Sequence, residues 1–242
     1  MTRFFVSDTA LHSDAPTLEG DNARHAKVLR LREGEEICLS DGSGEECVCR
    51  VESVGEIYTL SVVARRMSEN EPAARVSVYM ALPKADKLEH VIQKATELGA
   101  YEIVTFPSAR CISRPDDKSL VKKLDRWQKI AVSAAEQSGR GRIPQVLYLP
   151  SYKEAVRRAA QADKAILFYE NEHATTLKMA LSEGSLATAS LMTGPEGGLT
   201  EQEVEEARAA GLSVCTLGRR ILRCETAPLC ALSVLMYATD EF

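Results

Sequence analysis

The stretch from Leu191 to Tyr237 reads LMTGPEGGLTEQEVEEARAAGLSVCTLGRRILRCETAPLCALSVLMY, and it decides the fold. It opens with a short apolar strand that breaks at the glycine-rich turn 194–198. Thr200 and Glu203 follow with the spacing of a capping box, in which two side chains satisfy the first free amides of a helix. This spacing predicts a helix that begins after Thr200 and ends at Gly211, because glycine takes the left-handed position after a helix without steric cost.

The rest of the stretch predicts a second strand and a second helix. The strand covers Ser213–Leu217 and ends at Gly218, and an irregular basic turn (Arg219–Glu225) comes next. An apolar helix, Ala227–Tyr237, closes the chain, with Thr226 as its expected N-cap. The order strand, helix, strand, loop, helix is typical of a parallel α/β unit, whose ligands bind at the loops after the strands. An earlier buried strand, Lys164–Tyr169, ends at Glu170, and the same rule places Glu170 beside Gly194 and Leu217.

The residues of the glycine turn argue against a phosphate ligand. A glycine loop before a helix N-terminus often binds phosphate. Here the loop and first helical turn carry Glu196, Glu201 and Glu203, and the lysine of a P-loop and the GxGxxG pattern are both missing. A cationic or hydroxyl-rich ligand fits these carboxylates better, and an ordinary glycine turn without a ligand is the alternative.

Two segments together point to a family. GPEGGLTEQEVEEA and LGRRILRCETAPLCAL resemble the SPOUT class of S-adenosylmethionine-dependent RNA methyltransferases, and most of all the bacterial 16S ribosomal RNA (uridine-N3)-methyltransferases. The resemblance implies an α/β fold with a C-terminal knotted parallel-sheet domain and a small N-terminal PUA-like β-barrel. A trefoil knot is foreign to default topologies, so it is implied by the resemblance alone.

Composition and charge limit the classes to which this protein can belong. The 242 residues are 45% hydrophobic and 27% charged, as in globular domains. The sequence contains neither an apolar run long enough to span a bilayer nor a signal-peptide core, so we expect a cytoplasmic protein. Seven cysteines without a CxxC pair predict neither a metal site nor a disulfide framework.

The charge is unevenly distributed along the chain. The net charge is −5, but residues 110–142 contain nine basic and four acidic side chains. Proteins bind RNA through clustered lysine and arginine, so an RNA contact surface should draw on this segment.

The N-terminal region has the pattern of a small β domain. Polar and glycine-rich turns separate short apolar runs, and the predicted elements are a helix at 21–31 and strands at 36–40, 46–54 and 57–64. RFFV, HAKVLRLREGEE and LSDGSG resemble the PUA-like RNA-binding domain of the same family. The polar, proline-containing stretch Ser68–Ala73 predicts a linker, which gives a PUA-like domain at 1–70 and a SPOUT domain at 71–242.

Eight basic residues are the candidate RNA contacts. Lys87 and Lys94 share the polar face of a predicted helix, and Arg140 and Arg142 stand among glycines where guanidiniums can clamp phosphate. The full set is Arg3, His25, Arg30, Lys87, Lys94, Arg110, Arg140 and Arg142. The alternatives are a helix-packing role for His25, a snorkelling Arg30 and a simple solvated face for the two lysines.

The resemblance also implies a cofactor site and a catalytic pair. The cofactor is S-adenosylmethionine, and its binding residues would be Gly194, Pro195, Glu196, Gly197, Gly198, Leu217, Gly218, Ile221, Leu222 and Thr226. Arg223 would hold the base or stabilise its developing oxyanion, while Glu225 would orient Arg223 or accept the proton. Alternatively, Glu225 is a carboxylate that stabilises the N-terminus of the last helix.

The implied partners are 16S ribosomal RNA within the small ribosomal subunit and a second copy of the chain. The last helix is apolar on nearly every side, so it should be buried on several sides. The resemblance implies dimerisation through the knotted domain and therefore a dimer interface at this helix, with burial in the core of a single chain as the alternative. Two other functions stay open: methylation of a transfer-RNA base or a ribose 2′-hydroxyl, and a non-catalytic RNA-binding assembly factor. The assembly factor would have no need of GPEGG or Arg223.

Overall fold

The computed structural model describes residues 1–112, 114–182, 184 and 186–242. The chain divides into two compact units. Unit 1 consists of Met1–Glu71 and Val132–Ile143, and unit 2 of Pro72–Ala131 and Pro144–Phe242. Within the described residues, every helix is too short or too polar to cross a lipid bilayer.

Unit 1 is built on a five-stranded sheet with strand order β1-β3-β4-β5-β2. The strands are β1 (Thr2–Phe5), β2 (Thr17–Leu18), β3 (Glu36–Ser40), β4 (Glu45–Ser53) and β5 (Tyr58–Met67), and the helices are α1 (Asp8–Leu11) and α2 (Gly20–Val28). The predicted elements of this region all form, with ends displaced by at most three residues. Gly42 and Gly44 turn the chain between β3 and β4 with φ of 82° and 121°, a region open to glycine.

The second segment of unit 1 is the end of a long helix and the glycine–arginine loop after it. Arg140 Nη2 donates to Glu71 Oε2 at 2.7 Å, and Ser40 Oγ donates to the Gly141 carbonyl at 3.0 Å. Residues 132–143 group with Met1–Glu71 in unit 1, whereas the sequence predicts a first domain at 1–70 and a second at 71–242.

Unit 2 contains a six-stranded sheet with strand order β11-β9-β10-β6-β7-β8. Its strands are β6 (Arg75–Ala81), β7 (Glu102–Phe106), β8 (Gln145–Tyr148), β9 (Lys164–Phe168), β10 (Thr188–Thr193) and β11 (Ser213–Cys215). Every neighbouring pair is parallel. Strands covered on both faces are nearly continuous apolar runs, as in VSVYMA of β6 and AILF of β9, and the predicted parallel sheet is confirmed.

The helices of this region include the two that the sequence predicts between Leu191 and Tyr237. They are α3 (Lys87–Glu97), α4 (Asp117–Ser138, whose last turns belong to unit 1), α5 (Tyr152–Ala159), α6 (Leu177–Leu181), α7 (Glu201–Ala209) and α8 (Thr226–Ala238). The capping box of Thr200 and Glu203 is present at the start of α7. Gly211 follows the helix with a φ of 97°, so both predicted helix signals are confirmed.

The start of α8 differs from the prediction. The Arg223 carbonyl accepts hydrogen bonds from the N–H groups of Thr226 at 2.9 Å and Ala227 at 3.0 Å. Thr226 is therefore the first helical residue, and Glu225 is the N-cap, without a side-chain capping bond. The prediction of Thr226 as N-cap is wrong, because the helical turn already begins at the arginine.

Candidate functional site

A cavity of about 840 Å³ opens in unit 2 where β9, β10 and β11 end. Parallel strands bring their carboxyl ends to one edge of a sheet, which is where such folds bind ligands. Glu170 after β9, Gly194 after β10 and Leu217 after β11 all line the cavity, as the sequence predicts. Its volume is within the range of small-molecule sites.

The glycine loop, residues 194–198, is held from outside by residues that follow β7. Arg110 Nη1 donates to the Gly197 carbonyl at 2.9 Å. The backbone N–H of Ala109 donates to Glu203 Oε1 at 2.8 Å, and Glu203 also serves the capping box. The loop and the first turn of α7 therefore have fixed positions relative to the sheet.

The basic loop, residues 216–225, forms a second part of the cavity wall. β11 ends at Cys215, so Thr216 and Leu217, which the sequence predicts to be strand residues, lie in this loop together with Gly218. Arg219, Arg220 and Arg223 line the cavity and are exposed. Within the part of the chain that the structure describes, these three guanidiniums make no ion pair or side-chain hydrogen bond, so they are available to an anionic ligand.

A charged cluster joins the two parts of the wall. Lys87 Nζ lies 3.0 Å from Glu196 Oε1 and 3.4 Å from Glu225 Oε2. It also lies 3.8 Å from Cys224 Sγ, and the Lys84 backbone N–H donates to Glu196 Oε1 at 3.0 Å. The carboxylate of Glu225 therefore pairs with Lys87, and among the described residues it makes no side-chain contact with Arg223. A role of Glu225 in orienting Arg223 or accepting the proton stays a prediction.

The cluster fixes the protonation states of its members. Burial opposes ionisation of Glu196 and Glu225, but the bonds from Lys87 and nearby N–H groups outweigh it and lower the pKa of both carboxyls. The bond to Glu196 raises the pKa of Lys87. Burial, together with the neighbouring Glu225, raises the pKa of the Cys224 thiol to about 12. The carboxylates are therefore weak proton acceptors, and the thiol stays neutral.

Most of the predicted cofactor residues meet at this cavity. Those that line it are Gly194, Pro195, Glu196, Gly198, Leu217, Gly218, Ile221 and Leu222. The wall does not include Gly197, which instead faces Arg110, or Thr226. Arg223 lines the cavity, and Glu225 reaches it through Lys87.

The sequence analysis did not identify several of the residues that line the cavity. Asn171 and His173 follow β9 and line the cavity with Arg219 and Arg220. The rule that ligands bind beyond strand ends could have indicated the first two, since it already pointed to Glu170. Lys87, expected as an RNA contact on an outer helix face, lies at the start of α3 and lines the cavity instead.

Two of the predicted RNA contacts are buried in unit 1. Arg3 is 6% exposed, and its Nη2 donates to Glu46 Oε1 at 2.7 Å. Arg140 is 3% exposed and pairs with Glu71. A direct RNA contact by Arg3 or Arg140 is therefore contradicted, because each guanidinium is enclosed by the protein and bound to a carboxylate.

The other predicted RNA contacts are at least partly accessible. His25 packs its ring edge-on against Phe4, and Arg30 is exposed with a φ of 58°. Arg142 Nη2 donates to the Ser43 carbonyl at 2.9 Å. Lys94 in unit 2 pairs with a glutamate of its own helix, and Arg110 is exposed beside the glycine loop. Their role in RNA binding stays a prediction.

Comparison with known families agrees with the fold and the cavity. Residues 69–236 match the family described as the RNA methyltransferase domain, and residues 18–59 match the RNA methyltransferase PUA domain. A parallel α/β unit with a strand-end cavity, accompanied by a PUA domain, is thus the architecture of an RNA methyltransferase, and the predicted fold class is confirmed.

Relatives that match over nearly their whole length identify the family more specifically. The chain is 38% identical to the ribosomal RNA small subunit methyltransferase E of Bacillus subtilis, over 99% of this chain and 98% of the relative. It is 34% identical to the protein of that name from Mycobacterium tuberculosis, over 99% and 92%. The chain belongs to the ribosomal RNA small subunit methyltransferase E family.

Solved structures share the fold over nearly the whole chain. A ribosomal RNA small subunit methyltransferase E from Neisseria gonorrhoeae, bound to S-adenosyl methionine, is 33% identical with a TM-score of 0.87, covering 98% of this chain and 97% of its own. A methyltransferase from Legionella pneumophila in complex with the same cofactor is 27% identical with a TM-score of 0.86 and the same coverage.

Proposed function

We propose that this protein transfers the methyl group of S-adenosylmethionine to N3 of a uridine in 16S ribosomal RNA of the small ribosomal subunit. The observation that carries the proposal is the cavity between the glycine loop and the basic loop, in a chain of this family. One part of the wall offers backbone groups and carboxylates, and another offers the three arginines that have no ion-pair partner among the described residues. A cationic cofactor and an anionic nucleic acid can therefore meet there.

The residues of the cavity suit S-adenosylmethionine. The glycine loop presents backbone N–H and carbonyl groups, and Leu199, Leu217 and Leu222 supply apolar surface for an adenine ring. The carboxylates of Glu170 and Glu196 suit the cofactor's positive charges. When bound, the cofactor supplies a methyl group that its sulfonium already activates.

The basic loop is the part of the site to which we assign contact with the uracil ring. We assign to Arg223 the task of holding the uracil ring and stabilising the negative charge that develops on its carbonyl oxygens as N3 loses its proton. The N3 lone pair would then attack the methyl carbon in line as the bond from that carbon to sulfur breaks, and the neutral thioether would leave. Because hydrogen bonds lower the pKa of Glu196 and Glu225, we expect the N3 proton to leave to solvent, and turnover to rise with pH.

The product of the reaction tests this function. Small ribosomal subunits from cells that lack the protein would be incubated with the purified protein and methyl-labelled cofactor, and the RNA digested to nucleosides. We expect label in N3-methyluridine. Label in another base or in a ribose would assign a different methyltransferase activity, and bound but unlabelled subunits, with transfer RNA also unlabelled, would indicate a non-catalytic assembly factor.

Gly198 offers a test of the cofactor site. Its φ is 67°, which strains any residue other than glycine, and a Cβ there would displace the Glu170 carboxylate, which also lines the cavity. We expect Gly198→Ala to weaken cofactor binding by tenfold or more, on the order of the 1–3 kcal/mol that such backbone strain costs, as measured by calorimetry. Gly211→Ala is the matched control, since Gly211 also has a positive φ but has open space around it. Equal affinity for the cofactor in the two variants would show that the glycine loop is not part of the cofactor site.

The proposed assembly is a homodimer that acts in the cytoplasm. Helix α8 is apolar nearly all round, yet Tyr237 is 75% exposed and Val234 is exposed as well. An exposed apolar side of this kind favours contact with a second copy. Light scattering should give twice the chain mass of 26.5 kDa.

A further inference from the structure

Lys87 connects two loops that are distant in the sequence. Its ammonium lies 3.0 Å from Glu196 in the glycine loop and 3.4 Å from Glu225, which precedes α8. The exposed fractions of the two glutamate side chains are 27% and 21%. The pairs are therefore partly shielded from water, where charge interactions exceed those of fully exposed pairs.

Within the described residues, no second cation pairs with either carboxylate. Glu196 is otherwise bound by the Lys84 backbone N–H, and Glu225 by the Cys224 thiol at 3.3 Å. Without Lys87, two neighbouring carboxylates would face each other with no positive charge between them. Like charges at such short range repel strongly, so the two loops would separate.

We propose that Lys87 is a positioning residue for methyl transfer, since it holds the glycine loop in register with the loop that carries Arg223 by pairing with Glu196 and Glu225 together. The inference rests on the proposed function. Arg223 is two residues before Glu225, so a displacement of Glu225 moves the guanidinium relative to the cofactor loop. In-line transfer is sensitive to such shifts, and a misplacement of 1 Å can cost on the order of 100-fold in rate.

The cluster excludes two simpler roles for this lysine. Lys87 cannot act as the proton acceptor, because the bond to Glu196 raises its pKa and keeps the ammonium protonated. Its donors are also directed at Glu196, Glu225 and Cys224, which leaves it poorly suited to an RNA phosphate. Glu225 then acts through Lys87, as the second anchor of the same contact.

Steady-state kinetics on ribosomal subunits separate these roles. Wild-type turnover is measured first, and its absence would contradict the proposed function rather than the role of Lys87. We expect Lys87→Met to lower kcat on the order of 100-fold, with the RNA KM nearly unchanged. Lys87→Arg should retain most of the activity, because a guanidinium can bind both carboxylates. Lys178→Met removes an equal charge from an exposed position of α6, outside the cavity wall, and should behave as wild type.

The accessibility of Cys224 shows whether the two loops have separated, independently of turnover. Its thiol is buried beside the cluster, and mass spectrometry can follow its reaction with a thiol reagent. We expect faster labelling in Lys87→Met and slow labelling again when Glu225→Gln is added, since a neutral amide can donate to Glu196. Loss of the lysine charge alone would disfavour the thiolate and slow the reaction, so faster labelling means that the loops have separated.

Four results would overturn the inference. One is an unchanged kcat in Lys87→Met, and another is Cys224 protection that is the same in wild type and variant. A raised RNA KM with an intact kcat would make Lys87 an RNA contact instead. A lower thermal midpoint in Lys87→Met than in Lys178→Met, with Cys224 still protected at the assay temperature, would likewise assign the lysine to stability alone.

Discussion

Replacing Arg223 with alanine is expected to abolish methyl transfer and to leave the thermal midpoint within a few degrees of wild type. The side chain lines the cavity and is exposed, and within the described residues it supports no other part of the fold. Removal of a single donor that stabilises a developing oxyanion costs on the order of 100- to 1,000-fold in kcat. Loss of an exposed arginine without contacts costs little stability.

Two further variants make the Arg223 result specific. Arg223→Lys keeps the charge but loses the planar pair of donors, so we expect only partial activity. Arg157→Ala removes an exposed arginine of α5, outside the cavity wall, and should leave turnover unchanged. Calorimetry should show that Arg223→Ala still binds the cofactor. Full turnover in Arg223→Ala would exclude the residue from the mechanism.

The features that the sequence predicted well are local ones. The capping box depends only on Thr200 and Glu203, which are three residues apart. The glycine turn depends on a backbone conformation that glycine favours. The meeting of Glu170, Gly194 and Leu217 is a long-range feature, yet it follows from one rule about the edges of parallel sheets. The knotted topology has no local signal, and resemblance alone suggested it.

Charge was the property that misled sequence reasoning. A basic residue shows where a positive charge lies along the chain, but its partner is set by the fold. Arg3 meets a glutamate 43 residues away, and Arg140 meets one 69 residues away. Lys87 finds its two carboxylates in loops more than 100 positions further on. Each was a reasonable RNA contact on composition, and each is instead bound to carboxylates of the protein itself.

The pair of Arg3 and Glu46 leads to the largest expected effect on stability. Glu46 is 3% exposed, and within the described residues Nε and Nη1 of Arg3 have no hydrogen-bond partner. The buried guanidinium therefore depends on Glu46 for compensation. We expect Glu46→Gln to lower the free energy of unfolding of unit 1 by about 3–5 kcal/mol, since it leaves an uncompensated buried charge.

Hydrogen exchange of β3, β4 and β5 in increasing urea measures this loss within unit 1. Trp127, the only tryptophan, lies in unit 2, so its fluorescence follows that unit separately. Glu45→Gln is the matched control, because Glu45 is the adjacent residue and pairs with His12 at the surface. Exposed pairs contribute about 1 kcal/mol or less. A loss as small as this in Glu46→Gln would contradict the assigned role of the buried pair.

The same pair predicts an acid-sensitive unit 1. Burial opposes ionisation of Glu46, but hydrogen bonds from Ser68, Arg3 and Arg66 outweigh it and lower the pKa of the carboxyl. A carboxyl whose pKa is lower in the folded state contributes stability above its unfolded pKa, and that contribution is lost as the pH falls through the folded pKa. Glu46→Gln cannot ionise, so its stability should change less between neutral and acidic pH than that of wild type. Parallel pH profiles for the two proteins would mean that Arg3 does not depend on the charge of Glu46.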